Sequence, residues 1–158
     1  MPASYPTSVK SFTTKVNGVD APDAAHINDL QLEVEAVETE LLDGMVDYSA
    51  ISTITGWSSF TTKKIYYKKI GKMVFVSFDL RGTSNSTVSN FTLPFTSVNN
   101  GLKVTSVCQI MDNGTLAFGT EEIQPNTSNV GIFPSASGGN WVASGDKYCI
   151  GQLWFVSQ

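Results

Sequence analysis

The chain has 158 residues, 41% of them hydrophobic but only 15% charged, with two Cys, one His and a formal net charge of −4. Its 18 Ser and 16 Thr stand where an average domain, about a quarter charged, would carry Asp, Glu, Lys and Arg. The acidic balance excludes the basic footprint of nucleic-acid binding, and no apolar run nears the roughly 18 residues of a membrane span. One histidine leaves a Ser/His/Asp or Cys/His nucleophile system, or a metal site, short of partners, so no catalytic residue, metal ligand or cofactor is expected.

The charge divides the chain. Residues 1–46 hold eight acids and two lysines, a net −6, and residues 47–158 hold six acids and eight bases, a net +2. Three segments follow: an extended arm over 1–22, a helix over 23–46 and a β-domain over 47–158. The arm begins Met-Pro-Ala-Ser-Tyr-Pro, with neither the basic n-region nor the apolar h-region of a signal peptide, so synthesis in the cytoplasm without export by that route is expected. Its residues 1–19 carry two prolines, many hydroxyls and an Asn17-Gly18 turn signal; Phe12, Val16 and Val19 are its residues able to dock on another protein.

Ala21-Pro22-Asp23 is a helix start, with Asp20 or Asp23 able to cap, and Gly44 is a stop. Between them Ile27, Leu30, Val34, Val37 and Leu41 follow spacings of three and four, an a/d seam of just over two heptads. A helix lying on its own sheet needs a wider apolar face, so the narrow seam points to a self-associating coiled coil. The segment 24–43 has six acids and no Lys or Arg, so parallel copies repel and something larger must hold them together. His26 reads as a polar residue of the first helical turn.

Beyond Gly44 turn signals recur every 8–12 residues. Gly71-Lys72 fits a type II′ hairpin; Asn100-Gly101 and Asn113-Gly114 fit type I′. Strands are expected over 60–70, 72–81, 86–93, 102–111, 115–124, 129–133, 140–143 and 147–157, an antiparallel β-sandwich or jelly-roll-like domain. Two are apolar on both faces. Val74, Val76, Phe78 and Leu80 oppose Met73 and Phe75; Cys149, Leu153 and Phe155 oppose Tyr148, Ile150, Trp154 and Val156. An antiparallel sandwich strand has one wet face, so Met73, Phe75, Ile150 and Trp154 are candidate oligomerisation residues beside the helical seam.

Cys108 and Cys149 are expected as small reduced core residues. The acids outside the helix, Asp47, Asp79, Asp112, Glu121, Glu122 and Asp146, fall mostly at turns, with Glu121 and Glu122 on opposite faces of one strand, a poor basis for paired-carboxylate hydrolysis. Lys63, Lys64, Lys68, Lys69 and Lys72 read as a charged edge that resists strand addition. Trp57, Phe133, Asn140 and Trp141, beside Gly/Ser segments, are the candidate ligand-binding residues: an indole can stack on a sugar ring while amides and hydroxyls bind its oxygens, although Trp141 and Trp154, each taken alone, read first as core.

Residues 5–44, YPTSVKSFTTKVNGVDAPDAAHINDLQLEVEAVETELLDG, resemble the N-terminal segment of tailed-bacteriophage tail-fibre and minor structural proteins, with His26, Asn28, Asp29, Leu30, Gln31, Glu33, Glu35, Ala36 and Glu38 standing in the helix pattern. Residues 67–95 and the ending GGNWVASGDKYCIGQLWFVSQ look like the terminal β-domains of such fibres. The resemblance implies an arm tethered to another virion protein, a short trimeric stalk, and trimeric β-heads that bind a host-surface glycan or protein non-covalently, in a virion and without membrane insertion. It equally admits a structural virion component, a head fibre, decoration or adaptor protein with no host ligand. A β-helix or collagen-like shaft, common between arm and head, is absent here.

Overall fold

The computed structural model describes residues 24–158, and the chain divides into two units after Gly44. The proposed docking residues Phe12, Val16 and Val19, and the helix start at Asp20 to Asp23, lie outside the described residues.

Helix α1 runs Ala24–Leu42, about 28 Å at 1.5 Å per residue. Its last turn is extended by the Asp43 N–H bonding back to the Thr39 carbonyl at 2.9 Å, and Gly44 follows. All five seam residues fall within it. Ile27, Leu30, Val34 and Leu41 are each about half exposed, between 49% and 55%, and Val37 is partly covered. The covered side chains are instead Asp29 and Glu33, with Ala36 and Glu40 in part, on a flank of the helix away from the seam.

The β unit contains nine strands: β1 (Val46–Asp47), β2 (Ile54–Thr55), β3 (Trp57–Ile70), β4 (Met73–Ser84), β5 (Ser89–Thr92), β6 (Val104–Asp112), β7 (Thr115–Ile123), β8 (Asn129–Phe133) and β9 (Asp146–Val156). All pairings are antiparallel, in the order β1-β3-β4-β9-β6-β7-β8-β5-β2. The expected antiparallel β fold is present, and its two packed faces belong to one curled sheet. The curl follows from the chain path: β2, at one end of the order, is joined to β3, near the other end, by Gly56 alone. Gly56 has φ +94°, and a Cβ there would meet the Val88 carbonyl oxygen at 2.1 Å, so only glycine turns this corner.

Period-2 alternation decides the core. Val74, Val76, Phe78 and Leu80 of β4 and Cys149, Leu153 and Phe155 of β9 are buried with Ile65, Phe91, Ile110, Ile123, Val130 and Ile132, while Phe75, Trp154 and Val156 alternate outward. Each large side chain so enclosed contributes about 1.5–3 kcal/mol. The Gly71-Lys72 hairpin has φ +57° at Gly71 alone, as type II′ requires, and Asn113-Gly114 has φ +48° and +83°, as type I′ requires.

Two expectations are corrected. Asn100-Gly101 is not a hairpin turn: only Gly101 is left-handed, and the Asn100 side-chain oxygen accepts from the Leu102 N–H at 3.0 Å, an Asx-type turn inside a loop. The expected strand 140–143 is also loop. The Val142 N–H is taken by the Asp112 carboxylate at 3.1 and 3.2 Å and its carbonyl by the Ser84 hydroxyl at 2.6 Å, so side chains replace the ladder partners a strand would use.

Candidate functional site

The ligand-binding expectation rested on Trp57, Phe133, Asn140 and Trp141, and the structure divides them. Trp57 and Trp141 are buried. The Trp57 indole N–H donates to the Ser89 hydroxyl at 3.2 Å and the Trp141 indole N–H to the Ile132 carbonyl at 2.8 Å. With faces covered and polar tips already bonded, neither presents a ring for stacking. Their faces hold the Lys147 ammonium instead, 4.9 Å from the Trp57 ring centroid and 4.2 Å from that of Trp141. Lys147 is 1% exposed, donates to the Gly56 carbonyl at 3.2 Å, and so ties the β2–β3 corner to β9. Burial pushes its ammonium down to about 8, against the pull of the Asp112 carboxylate. The parity of β9 places Lys147 on the inward row with Cys149, the one sequence signal for this feature.

Phe133 and Asn140 do come together. They line one depression of about 110 Å³ with Thr87, Asn90, Asn129 and Gly131. Phe133 is half-buried at the end of β8, and Asn140 is exposed at the end of the Gly138-Gly139 loop. That loop is anchored from below by Trp141, whose backbone N–H bonds the Thr87 carbonyl at 3.0 Å, and from within by the Ser135 hydroxyl on the Gly138 carbonyl. The lining offers one aromatic ring, three amide side chains and the hydroxyl residues Thr87 and Ser89. Its volume is below the roughly 300 Å³ at which small-molecule pockets begin, so it can seat the tip of a ligand and cannot enclose one.

The remaining acids perform separate tasks. Asp47 accepts from the Ser49 N–H at 2.8 Å, and hydrogen bonding from the Ser49 side chain first, then its backbone, holds its carboxyl below the usual range. Asp79 grips Arg81 through two oxygens at 2.8 and 3.1 Å. Glu122 pairs with Lys103 at 2.6 Å. As expected, Glu121 and Glu122 take opposite faces of β7, but Glu121 turns wholly inward, 0% exposed, and neither carboxyl oxygen has a hydrogen-bond partner of good geometry. Burial pushes its carboxyl up to about 7, although Ser106 and the Gln152 backbone pull it down. Gly151 makes the space: a Cβ there would meet Glu121 Oε2 at 2.1 Å. The sequence reading weighs Glu121 only as half of a carboxylate pair; the alternation Gly119, Glu121, Ile123 is the signal that places it on the inward row.

Cys108 and Cys149 are buried free thiols, as expected, and burial pushes the Cys149 thiol well above its ordinary value. Among the described residues no three His, Cys, Asp or Glu side chains gather as a metal would need, and no helix is long and apolar enough to cross a membrane. Of the candidate oligomerisation residues, Phe75 and Trp154 are exposed and face each other across β4 and β9, while Met73 and Ile150 are half-buried on the same outer face.

No protein-family model and no curated protein matches the chain. Among solved structures it is similar to the head domain of phage bIL170, reported in connection with the receptor-binding domains of lactococcal phages, at 12% identity and a TM-score of 0.36 over 73% of this chain and 98% of that one.

Proposed function

We propose that this chain is a bacteriophage virion fibre protein that acts as a homotrimer: the arm attaches to another virion protein, α1 begins a short three-stranded stalk, and the β units bind a host-surface glycan or protein without chemistry. The carrying observation is the exposure of Ile27, Leu30, Val34 and Leu41 at heptad spacing on a helix whose covered residues lie elsewhere. An apolar a/d row left in water is the surface a coiled-coil partner buries. The resemblance of residues 5–44 to fibre N-terminal segments supplies the virion and the number three. Ligand contact falls to the depression at Phe133 and Asn140, whose amide and hydroxyl lining suits the rim of a sugar.

Light scattering of the full chain is expected to give about 51 kDa, three times 17.0 kDa; a monomer would overturn the reading. The burial of Trp57 and Trp141 favours a second reading, a structural virion component with no host ligand, because it removes the two strongest stacking platforms. A glycan array and a whole-cell binding assay separate the two: binding reduced by Phe133→Ala and Asn140→Ala supports the first, and silence in both assays supports the second.

A further inference from the structure

A second hollow, of about 290 Å³, lies on the outer face of the sheet, and its lining includes Thr61, Arg81, Thr83, Met111, Asp146 and Tyr148. Strand register assembles it. Arg81 stands opposite Tyr148 and Thr83 opposite Asp146 across β4 and β9, and Met111 of β6 is the other partner of Tyr148. Alternation turns the Arg81–Tyr148–Met111 row outward, because the neighbouring Leu80, Cys149 and Ile110 are buried. On the β3 side the ladder slips twice, from Trp57–Ser84 to Ser59–Thr83 and from Phe60–Gly82 to Thr62–Arg81, which leaves Ser58 and Thr61 as the extra residues of two bulges. A bulge bends its strand and re-aims its side chain, and Thr61 is the bulge residue that lines the hollow.

The polar groups are already oriented. Arg81 Nε and Nη2 donate to the two Asp79 carboxylate oxygens at 2.8 and 3.1 Å, which holds the guanidinium 5.7 Å from the Tyr148 ring centroid and leaves its other N–H groups to donate. Arg81, Asp146 and Thr61 are exposed, while Tyr148 and Met111 are half-buried. Charge decides what such a hollow can take. Arg81 is countered by Asp79, Asp146 adds a second acid, and the Lys147 ammonium is turned inward to Trp57 and Trp141, so the lining has no uncompensated cation for a phosphate, sulfate or carboxylate. We propose that this hollow binds one neutral pyranose of a host-surface glycan, with the Asp146 carboxylate accepting from sugar hydroxyls, Arg81 and the Thr61 and Thr83 hydroxyls donating to sugar oxygens, and Tyr148 and Met111 against the apolar face of the ring. The proposal rests on the host-binding reading above and adds a second contact with a stated ligand class. The hollow has more than twice the volume of the depression at Phe133 and Asn140 and nearly reaches the roughly 300 Å³ at which small-molecule pockets begin, which suits one sugar residue.

The test is saturation-transfer difference NMR on the full chain, with glucose, galactose, rhamnose and N-acetylglucosamine as neutral probes and glucuronic acid and glycerol phosphate as anionic ones. At least one neutral sugar is expected to take up saturation. Its affinity is expected to fall roughly tenfold in Arg81→Ala and in Asp146→Ala, as the loss of a charged hydrogen bond implies, and to stay unchanged in Phe133→Ala. Thr61→Trp fills the hollow from an exposed bulge position without removing a buried group; it is expected to abolish the signal, and it keeps the test open if another variant loses its fold. Sugar binding that survives Thr61→Trp, or uptake by the anionic probes alone, would overturn the proposal. Silence from every neutral probe would overturn it too, and whole-cell binding that persists in that case would leave the host-binding reading standing. Wild-type protein that takes a neutral sugar here but binds no host cell would overturn that reading and keep the sugar site.

Discussion

The two units of this chain handle apolar side chains in opposite ways. In the β unit alternation sends Val74, Val76, Phe78 and Leu80 to one side and encloses them, so the unit has a core of its own. In α1 the equivalent apolar row stays half in water, and the covered positions are Asp29 and Glu33. One region draws its stability from within. The other leaves its apolar row exposed, and an isolated helix of 19 residues is near the length at which helices are only marginally stable in water. The contrast teaches that an apolar pattern of correct period establishes the element, while its width and what covers it decide between core and interface.

Substitutions can break or sharpen this contrast. The largest effect is expected from Trp141→Ala, which removes a buried ring, its bond to the Ile132 carbonyl and one wall around Lys147; a loss of about 3–5 kcal/mol in urea unfolding is expected, with the mass of the folded protein in solution unchanged. Next comes pH. The folded carboxyl of Glu121 titrates at about 7 against an ordinary 4.5, so the folded state holds its proton more tightly. Stability from this group is therefore full below pH 4.5 and falls on the order of 2–3 kcal/mol by pH 7. Lys147 titrates at about 8 against 10.5, so its burial penalty stands below pH 8 and is relieved as pH rises to 10.5. Melting temperature against pH is expected to pass through a minimum between 7 and 8, and Glu121→Gln is expected to flatten its acid limb; an unchanged limb would mean the carboxyl is not dry.

Gly151→Ala is expected to cost about 1–3 kcal/mol in the same unfolding assay, because the new methyl would sit 2.1 Å from Glu121 Oε2 and 2.8 Å from Phe78 Cζ. The smallest effect on the β unit is expected from Leu30→Asp with Val34→Asp. The β unit should melt within about 0.5 kcal/mol of wild type by near-ultraviolet circular dichroism while the mass in solution falls, and joint collapse of both signals would show that α1 belongs to the core.

The strands were readable because β3, β4, β6, β7 and β9 alternate cleanly and are bounded by glycine turns whose φ values match their types at Gly71 and Gly114. β1 and β2, two residues each, are too short to carry a period. The segment 140–143 misled because Trp141 and Val142 have strand-like chemistry while Asp112 and Ser84, distant in sequence, take the backbone groups of Val142. At the candidate site the Gly/Ser-rich loop composition singles out Trp57, Phe133, Asn140 and Trp141 together; only Phe133 and Asn140 line an open depression, Trp57 is buried, and Trp141 takes the core place also read for it from the sequence. The same loop chemistry that suits a stacking indole suits an indole capped by Ser89 or the Ile132 carbonyl, and only the fold distinguishes them. Lys147 and Glu121 were on the inward rows all along, but a charge predicted to face a core is ordinarily taken as a reason to doubt the strand.

Strand β9 is last in chain order among the nine yet lies in the interior of the sheet, between β4 and β6. It bonds to Met73 through Val156, more than eighty residues away in sequence. During synthesis the earlier strands therefore leave the ribosome as two groups with no ladder between them, and Gly56 cannot receive the Lys147 ammonium until the final strand arrives. The β unit is timed as well as shaped by this topology: α1, encoded ahead of every strand, is complete well before the sheet can close on β9, so the helix and the β unit form as separate events in time.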